Sequence, residues 1–210
     1  LPQTLYKPVK KPPEKYIKSV QLDLFSQFVT NDKSEVSNTV EVWESIPKYF
    51  FTPKQVEKLR TKTGHADPYK MEFSYDGISC SVKIQPALIE QKDGGYKAFF
   101  PSVTEELVEE ALKKYLTIQN YGIHDVNKAE TWVRFSLSMI HRELKSRGRT
   151  RSRNEIKHAI EVMNKCNISL FKDKKEVWSG AILQDLVTVG REEYLADTDA
   201  HHIGRLPLFI

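Results

Sequence analysis

Cysteine is scarce in this 210-residue chain: Cys80 and Cys166 stand far apart with no CxxC pair. Neither a disulfide framework nor a zinc site is supported, and a reducing cytoplasm is the expected home. No apolar run approaches the roughly 18–20 residues of a membrane helix, and the first residues do not form a charged-then-apolar secretory signal, so no membrane partner is expected. Glycine-rich phosphate loops are missing too, both GxxxxGK with Ser or Thr and GxGxxG. The six histidines, His65, His124, His141, His158, His201 and His202, include no pair at metalloprotease spacing. Asp197, Asp199 and His201 lack a fourth ligand for a metal. The expectation is a protein without catalytic residues, cofactor or metal. The chain also lacks an initial Met and stops on the apolar run Leu206-Pro207-Leu208-Phe209-Ile210, which reads as a fragment of something longer.

What is present is charge in islands. The net charge of +4 is mild, but Lys7, Lys10, Lys11, Lys15 and Lys18 face only Glu14 within residues 1–19. In residues 142–157, Arg142, Lys145, Arg147, Arg149, Arg151, Arg153 and Lys157 face only Glu143 and Glu155. Elsewhere the balance is acidic, with Glu105, Glu106, Glu109 and Glu110 crowded together. Two basic islands on an acidic background suit a polyanion held at defined places. The plainer alternative is a solvated basic face that balances the acidic segment.

Composition divides the chain at about residue 40. Residues 1–39, with Pro2, Pro8, Pro12 and Pro13 among lysines, read as a flexible basic arm. Residues 40–210 read as one α+β domain. Thr52-Pro53-Lys54-Gln55 starts a helix that Gly64 should stop. Residues 71–100 read as a β-meander with turns at Asp76-Gly77 and Lys92-Asp93-Gly94-Gly95. The period then changes to about 3.6, giving three helices within 103–166. Ser102-Val-Thr-Glu105 caps the first and Ser152-Arg-Asn-Glu155 the third. The second should open at Asn127-Lys-Ala-Glu130, bury Val133, Leu137, Ile140 and Leu144, and end at Gly148. A hairpin over 168–189 with the basic tip Lys172-Asp173-Lys174-Lys175 completes the order of a winged helix-turn-helix, which points to duplex DNA.

The third helix is the expected reader. With Ile156, Ala159, Ile160 and Met163 inward, Arg153, Asn154 and Lys157 turn outward to meet base edges, Arg with guanine and Asn with adenine. Arg147, Arg149, Arg151 and Ser152, at or before its N-terminus, are expected on the phosphate backbone. Lys172, Lys174 and Lys175 are expected on phosphate or an adjacent minor groove.

The run RTRSRNEIKHAIEVMNKCNISLF, followed by EVWSGAILQDL, resembles the winged-helix region of plasmid replication initiator (Rep) proteins over roughly residues 100–210. The resemblance implies binding to repeated origin sites (iterons), a dimer-to-monomer switch, origin opening and recruitment of host replication proteins. It also implies a second winged helix beyond Ile210. Bacterial sliding-clamp ligands carry a pentapeptide that Gln21-Leu22-Asp23-Leu24-Phe25 matches at every position, and a related motif occurs upstream of the DNA-binding domains in initiators of this type. Leu24 and Phe25 would fill an apolar pocket, and Gln21 would fix register. The same residues alternate as an edge strand would, with Val20, Leu22 and Leu24 on one face. Two rivals remain beside the initiator. One is a winged-helix transcriptional repressor; the other is a rolling-circle nickase, a family that needs His-apolar-His where His201-His202 has no intervening residue.

Overall fold

The computed structural model describes residues 43–75, 77–119, 132–190, 192 and 201–207. The basic arm with Gln21–Phe25 lies outside the described residues, as does Asn127.

Thr52 opens helix α1 (Pro53–Leu59) with both halves of a capping box: its hydroxyl accepts from Gln55 N, and Gln55 Oε1 accepts from Thr52 N at 2.8 Å. The helix stops before Gly64. Arg60 is already extended, and its Nε donates to the Ala98 carbonyl at 2.7 Å while the guanidinium lies over Phe99. Gly64 has a different task. At φ +85 it lets the Tyr96 carbonyl approach to 2.3 Å from where a Cβ would stand.

Both expected strand pairs form: β1 (Tyr69–Tyr75) pairs with β2 (Ile78–Gln85), and β3 (Ala87–Glu90) pairs with β4 (Tyr96–Phe99). They do not make one meander. Pro86 offers no N–H between β2 and β3, and β3–β4 stands as a separate ribbon. The free edge of β2 pairs instead with β6 (Asn167–Lys172), in a register that sets Ile84 opposite Ile168 and Val82 opposite Leu170. With β7 (Lys175–Gly180) the order is β1-β2-β6-β7. One face of this sheet is therefore apolar and buried, although its strands come from distant parts of the chain.

Helix α2 (Val103–Gln119) buries Leu107, Val108, Ala111, Leu112 and Leu116. At its start Ser102 N and Oγ both donate to Glu105 Oε2. Its acidic segment is not a solvated face, because Glu105 and Glu109 are buried. Glu109 takes hydrogen bonds at 2.6 Å from Trp43 Nε1 and Tyr49 Oη, and lies 3.4 Å from Lys113 and 3.9 Å from the buried Lys48. Burial alone would push its carboxyl up; Lys48, Lys113 and the two donors outweigh that and hold it below its ordinary value. This cluster ties residues 43–49 to α2.

The second long helix begins ten residues later than the sequence suggests. Trp132–Phe135 is strand β5, with Val133 and Phe135 buried and Trp132 and Arg134 exposed. Ser136 then caps α3 (Leu137–Ser146) by accepting from Met139 N at 3.2 Å. Val133 and Leu137 share a helical spacing by coincidence, since a period of two governs the β-branched and aromatic WVRF. The stop at Gly148 holds: φ is +68, Gly148 N donates to the Lys145 carbonyl and Arg149 N to the Leu144 carbonyl, a Schellman closure.

Helix α4 (Arg153–Lys165) follows, with Ile156, Ala159, Ile160 and Met163 buried as expected. The hairpin after it ends at Gly180, not at 189. Strand β8 (Gln184–Val187) belongs to another sheet, where β9 (His202–Arg205) lies between it and β5 in the order β5-β9-β8. Gly204 on β9 packs closely under Leu183: a Cβ there would meet Leu183 Cδ1 at 2.7 Å, so the leucine side chain would have to shift. Leu206 and Pro207 are buried, so the start of the final apolar run is covered by the chain itself. Among the described residues no helix is long and apolar enough to cross a membrane.

Candidate nucleic-acid interface

Helices α3 and α4 are joined by residues 147–152, and the turn is fixed at both ends. The Gly148 closure ends α3, and the capping box of Ser152 starts α4: Ser152 Oγ accepts from Glu155 N at 3.2 Å, and Ser152 N donates to Glu155 Oε2 at 2.7 Å. These bonds from Ser152 keep the Glu155 carboxyl below its ordinary range. Between them the Arg151 carbonyl sits 2.7 Å from His141 Nδ1, and a carbonyl only accepts, so this nitrogen carries the proton. The geometry holds α4 at a set angle to α3 with its first turn at the surface.

On that surface Arg153, Asn154 and Lys157 are exposed, and among the described residues none of the three side chains has a hydrogen-bond or ion-pair partner. Glu161, further along the same face, is neutralised by Lys165 at 2.7 Å. Long donors thus stand free on a helix whose opposite face is packed into the core. This is what base-edge contact in a major groove requires.

Two elements border the exposed face. On one side His158 meets Phe99 of β4 edge-on at 4.5 Å, walling a cleft of about 340 Å³ between α1, β4 and the starts of α2 and α4. On the other side Asn164 Nδ2 donates to the Leu183 carbonyl at 2.9 Å, just before β8. The His202 imidazole on β9 is lowered by burial and further by His201 and Lys157. Its Nδ1 accepts from Val189 N at 3.0 Å. The ribbon β8–β9 therefore lies beside α4.

The expected backbone contacts fare unevenly. Arg149 is exposed with no side-chain partner among the described residues. Arg147 is already engaged, by Glu143 at 2.6 Å and Glu110 at 3.0 Å, so it staples α3 to α2. Glu143 is buried and also takes Lys114 at 2.6 Å. Arg151 is half-buried and folds back, Nε to Thr104 Oγ1 at 3.2 Å. Ser152 spends its oxygen on the cap and keeps only its hydroxyl proton to offer. Lys174 and Lys175 are exposed and Lys172 is half-buried, on the tip of β6–β7. That tip turns through Asp173 and Lys174 at φ +50 and +64, both in the left-handed region that a two-residue type I′ hairpin demands. It belongs to the four-stranded sheet rather than to the ribbon beside α4.

No protein-family model matches the chain, and no curated protein does. Solved structures do. The chain is similar to a crystal structure of selenomethionine derivatives of domains 2 and 3 of RctB, at 14% identity and a TM-score of 0.41, over 78% of this chain and 56% of that one. It is similar to a second crystal structure of RctB domains 2–3 at 15% identity and a TM-score of 0.39, over 72% of this chain and 53% of that one. The chain thus spans little more than half the length of the structures it matches.

Sequence reasoning missed the β5-β9-β8 sheet and the buried anchor Glu109. WVRF carried the signal for β5, in its strict alternation. The short HIGR of β9 and the burial of Glu109 within a run of four glutamates carried none that stands out from a solvated pattern.

Proposed function

We propose that this chain is a DNA-binding module of a replication initiator, reading duplex origin repeats through α4. The observation that carries the reading is the set of three donors, Arg153, Asn154 and Lys157, unpaired among the described residues, on the outer face of a helix whose start is locked by His141 and Ser152. In this reading α2, β5, α3, α4, β8 and β9 form the winged helix, with β6–β7 as an insertion between α4 and β8. The wing is then the β8–β9 pair, and not the tip at Lys174. Arg149 serves phosphate, and Arg147 is a positioning residue. Lys174 and Lys175 touch backbone only where the duplex continues past the main contact.

The test is a titration of duplexes at several salt concentrations. The log–log slope should be about 0.9 per phosphate contacted. Lys174→Ala should weaken every duplex long enough to reach the β6–β7 tip alike, whatever its sequence, and flatten the slope by about one contact, whereas a change confined to one sequence would contradict the assignment.

We also propose that Gln21–Phe25 is a ligand for a bacterial sliding clamp. The support is the five-position match and a lysine- and proline-rich sequence before it. Leu24→Ala with Phe25→Ala should abolish capture by a purified clamp on a sensor surface and leave DNA affinity intact; undiminished capture would remove the proposal.

A further inference from the structure

Strand β1 leaves one side of the four-stranded sheet open. Its seven residues pair with β2 without a register shift, and among the described residues nothing pairs with its other side. Natural edges of this length are usually interrupted by a bulge or a proline, or covered by another segment. Tyr69–Tyr75 contains neither interruption. On its inner face Tyr69 is 36% exposed, and Met71 and Phe73 are half-buried, so an apolar row runs out to the edge. On its outer face Lys70 stands opposite Lys83, and among the described residues neither has an ion-pair partner; the Phe171 ring lies 5.6 Å from one and 5.5 Å from the other. Glu72 has no ion-pair partner among them either.

Such an edge fits a strand that alternates apolar with polar side chains and sets a carboxylate against Lys70. The run Ser19-Val20-Gln21-Leu22-Asp23-Leu24-Phe25 has that pattern, with Val20, Leu22 and Leu24 on one face and Gln21 and Asp23 on the other. It is also within reach. The ring of Trp43, where the described chain begins, lies 5.4 Å from that of Trp178 on β7, and β7 is three strand spacings, or about 15 Å, from β1. Residues 26–42 can span about 55 Å when extended.

We propose that residues 19–25 dock on β1 of the same chain as a further, antiparallel strand of its sheet, with Leu22 opposite Met71. Charge selects the register. This alignment sets Asp23 opposite Lys70, Gln21 opposite Glu72, and Val20 and Leu24 opposite Phe73 and Tyr69. A slide of two residues one way opposes Asp23 to Glu72, and the other way carries Asp23 past Lys70 to Pro68. A slide of one residue turns both leucines to the outer face. The docked strand engages the pentapeptide, so it must leave β1 before a sliding clamp can take it. That consequence rests on the clamp reading; the docking does not.

Hydrogen exchange of the full 210-residue chain, read at single amides, tests the docking. The β1 N–H groups that point away from β2 should exchange as slowly as those of a paired strand. Asp23→Lys and Lys70→Asp should each speed them roughly fivefold, because a favourable cross-strand pair becomes unfavourable, and the double swap should restore the slow rate. Amides of β6 should be unchanged throughout, which shows an intact fold. Leu22→Cys with Met71→Cys supplies position: oxidation should link the two within one chain at a rate independent of dilution, since Cys80 and Cys166 are buried. Leu24→Cys with Met71→Cys, on the same face but displaced, should lag at least about tenfold. Fast exchange at the β1 edge of the native chain, single swaps without effect, a link that joins two copies, or a displaced pair that links equally fast would each overturn the docking. Lys70→Asp should also raise clamp capture roughly fivefold, although it lies outside the pentapeptide. If no variant captures clamp while the β1 edge stays protected, the clamp reading fails and the docking stands.

Discussion

Arg153→Ala and Asn154→Ala should each lose discrimination between the preferred duplex and a scrambled one by about 1–3 kcal/mol, roughly 5–150-fold, while non-specific affinity changes little. The size follows from where the side chains stand. Among the described residues neither has a partner to lose, so truncation should leave the fold intact and remove only what the helix offers to a groove. The contrast is Arg147→Ala. That guanidinium bonds Glu143 and Glu110, so its loss should act on stability, leaving the buried Glu143 carboxylate with Lys114 alone. Competition titrations beside thermal melts separate the two effects: α4 variants should change preference without changing Tm, and Arg147→Ala the reverse.

The second large effect lies far from α4. Glu109→Ala should destabilise the fold by about 3–5 kcal/mol, or roughly 6–20 °C in Tm, because it strands Lys48, Trp43 Nε1 and Tyr49 Oη in a buried site. Glu109 also makes a statement about acid. Its folded carboxyl lies below its ordinary value of 4.5, so its contribution is complete above that pH and is lost as pH falls through the folded value. Glu109→Gln removes this titration. Chemical unfolding measured between neutral pH and about pH 3 should therefore show a shallower loss of stability in the Gln variant than in the native chain. Equal slopes would mean that the carboxylate is not the acid-sensitive anchor.

Local chemistry was the legible part of this sequence. Capping boxes at Thr52 and Ser152, the turns at Gly77 and Gly94 and the closure at Gly148 each depend on a few adjacent residues, and each forms. Pairing between distant strands depends on register and shared apolar faces, which no short window contains. That is why 71–100 read as one meander while β2 in fact joins β6, and why the 168–189 hairpin divides between two sheets. Val133 shows the same limit at smaller scale: a helical spacing to Leu137 and a strand alternation with Phe135 coexist, and tertiary pairing with β9 decides between them. For the candidate site, periodicity alone sufficed to turn Arg153, Asn154 and Lys157 outward. It could not show that Arg147 and Arg151 turn back on the chain, since their partners Glu110 and Thr104 lie on α2.

The central claim is that α4 enters a major groove, and methylation interference measures this most directly. A duplex selected from a random pool by the native chain is methylated at guanine N7 and sorted into bound and free fractions. The account predicts that modification of one or more guanines within a single major-groove face excludes the duplex from the bound fraction, and that Arg153→Ala erases this exclusion. A pool that yields no preferred sequence, or an interference pattern that Arg153→Ala leaves unchanged, would contradict it.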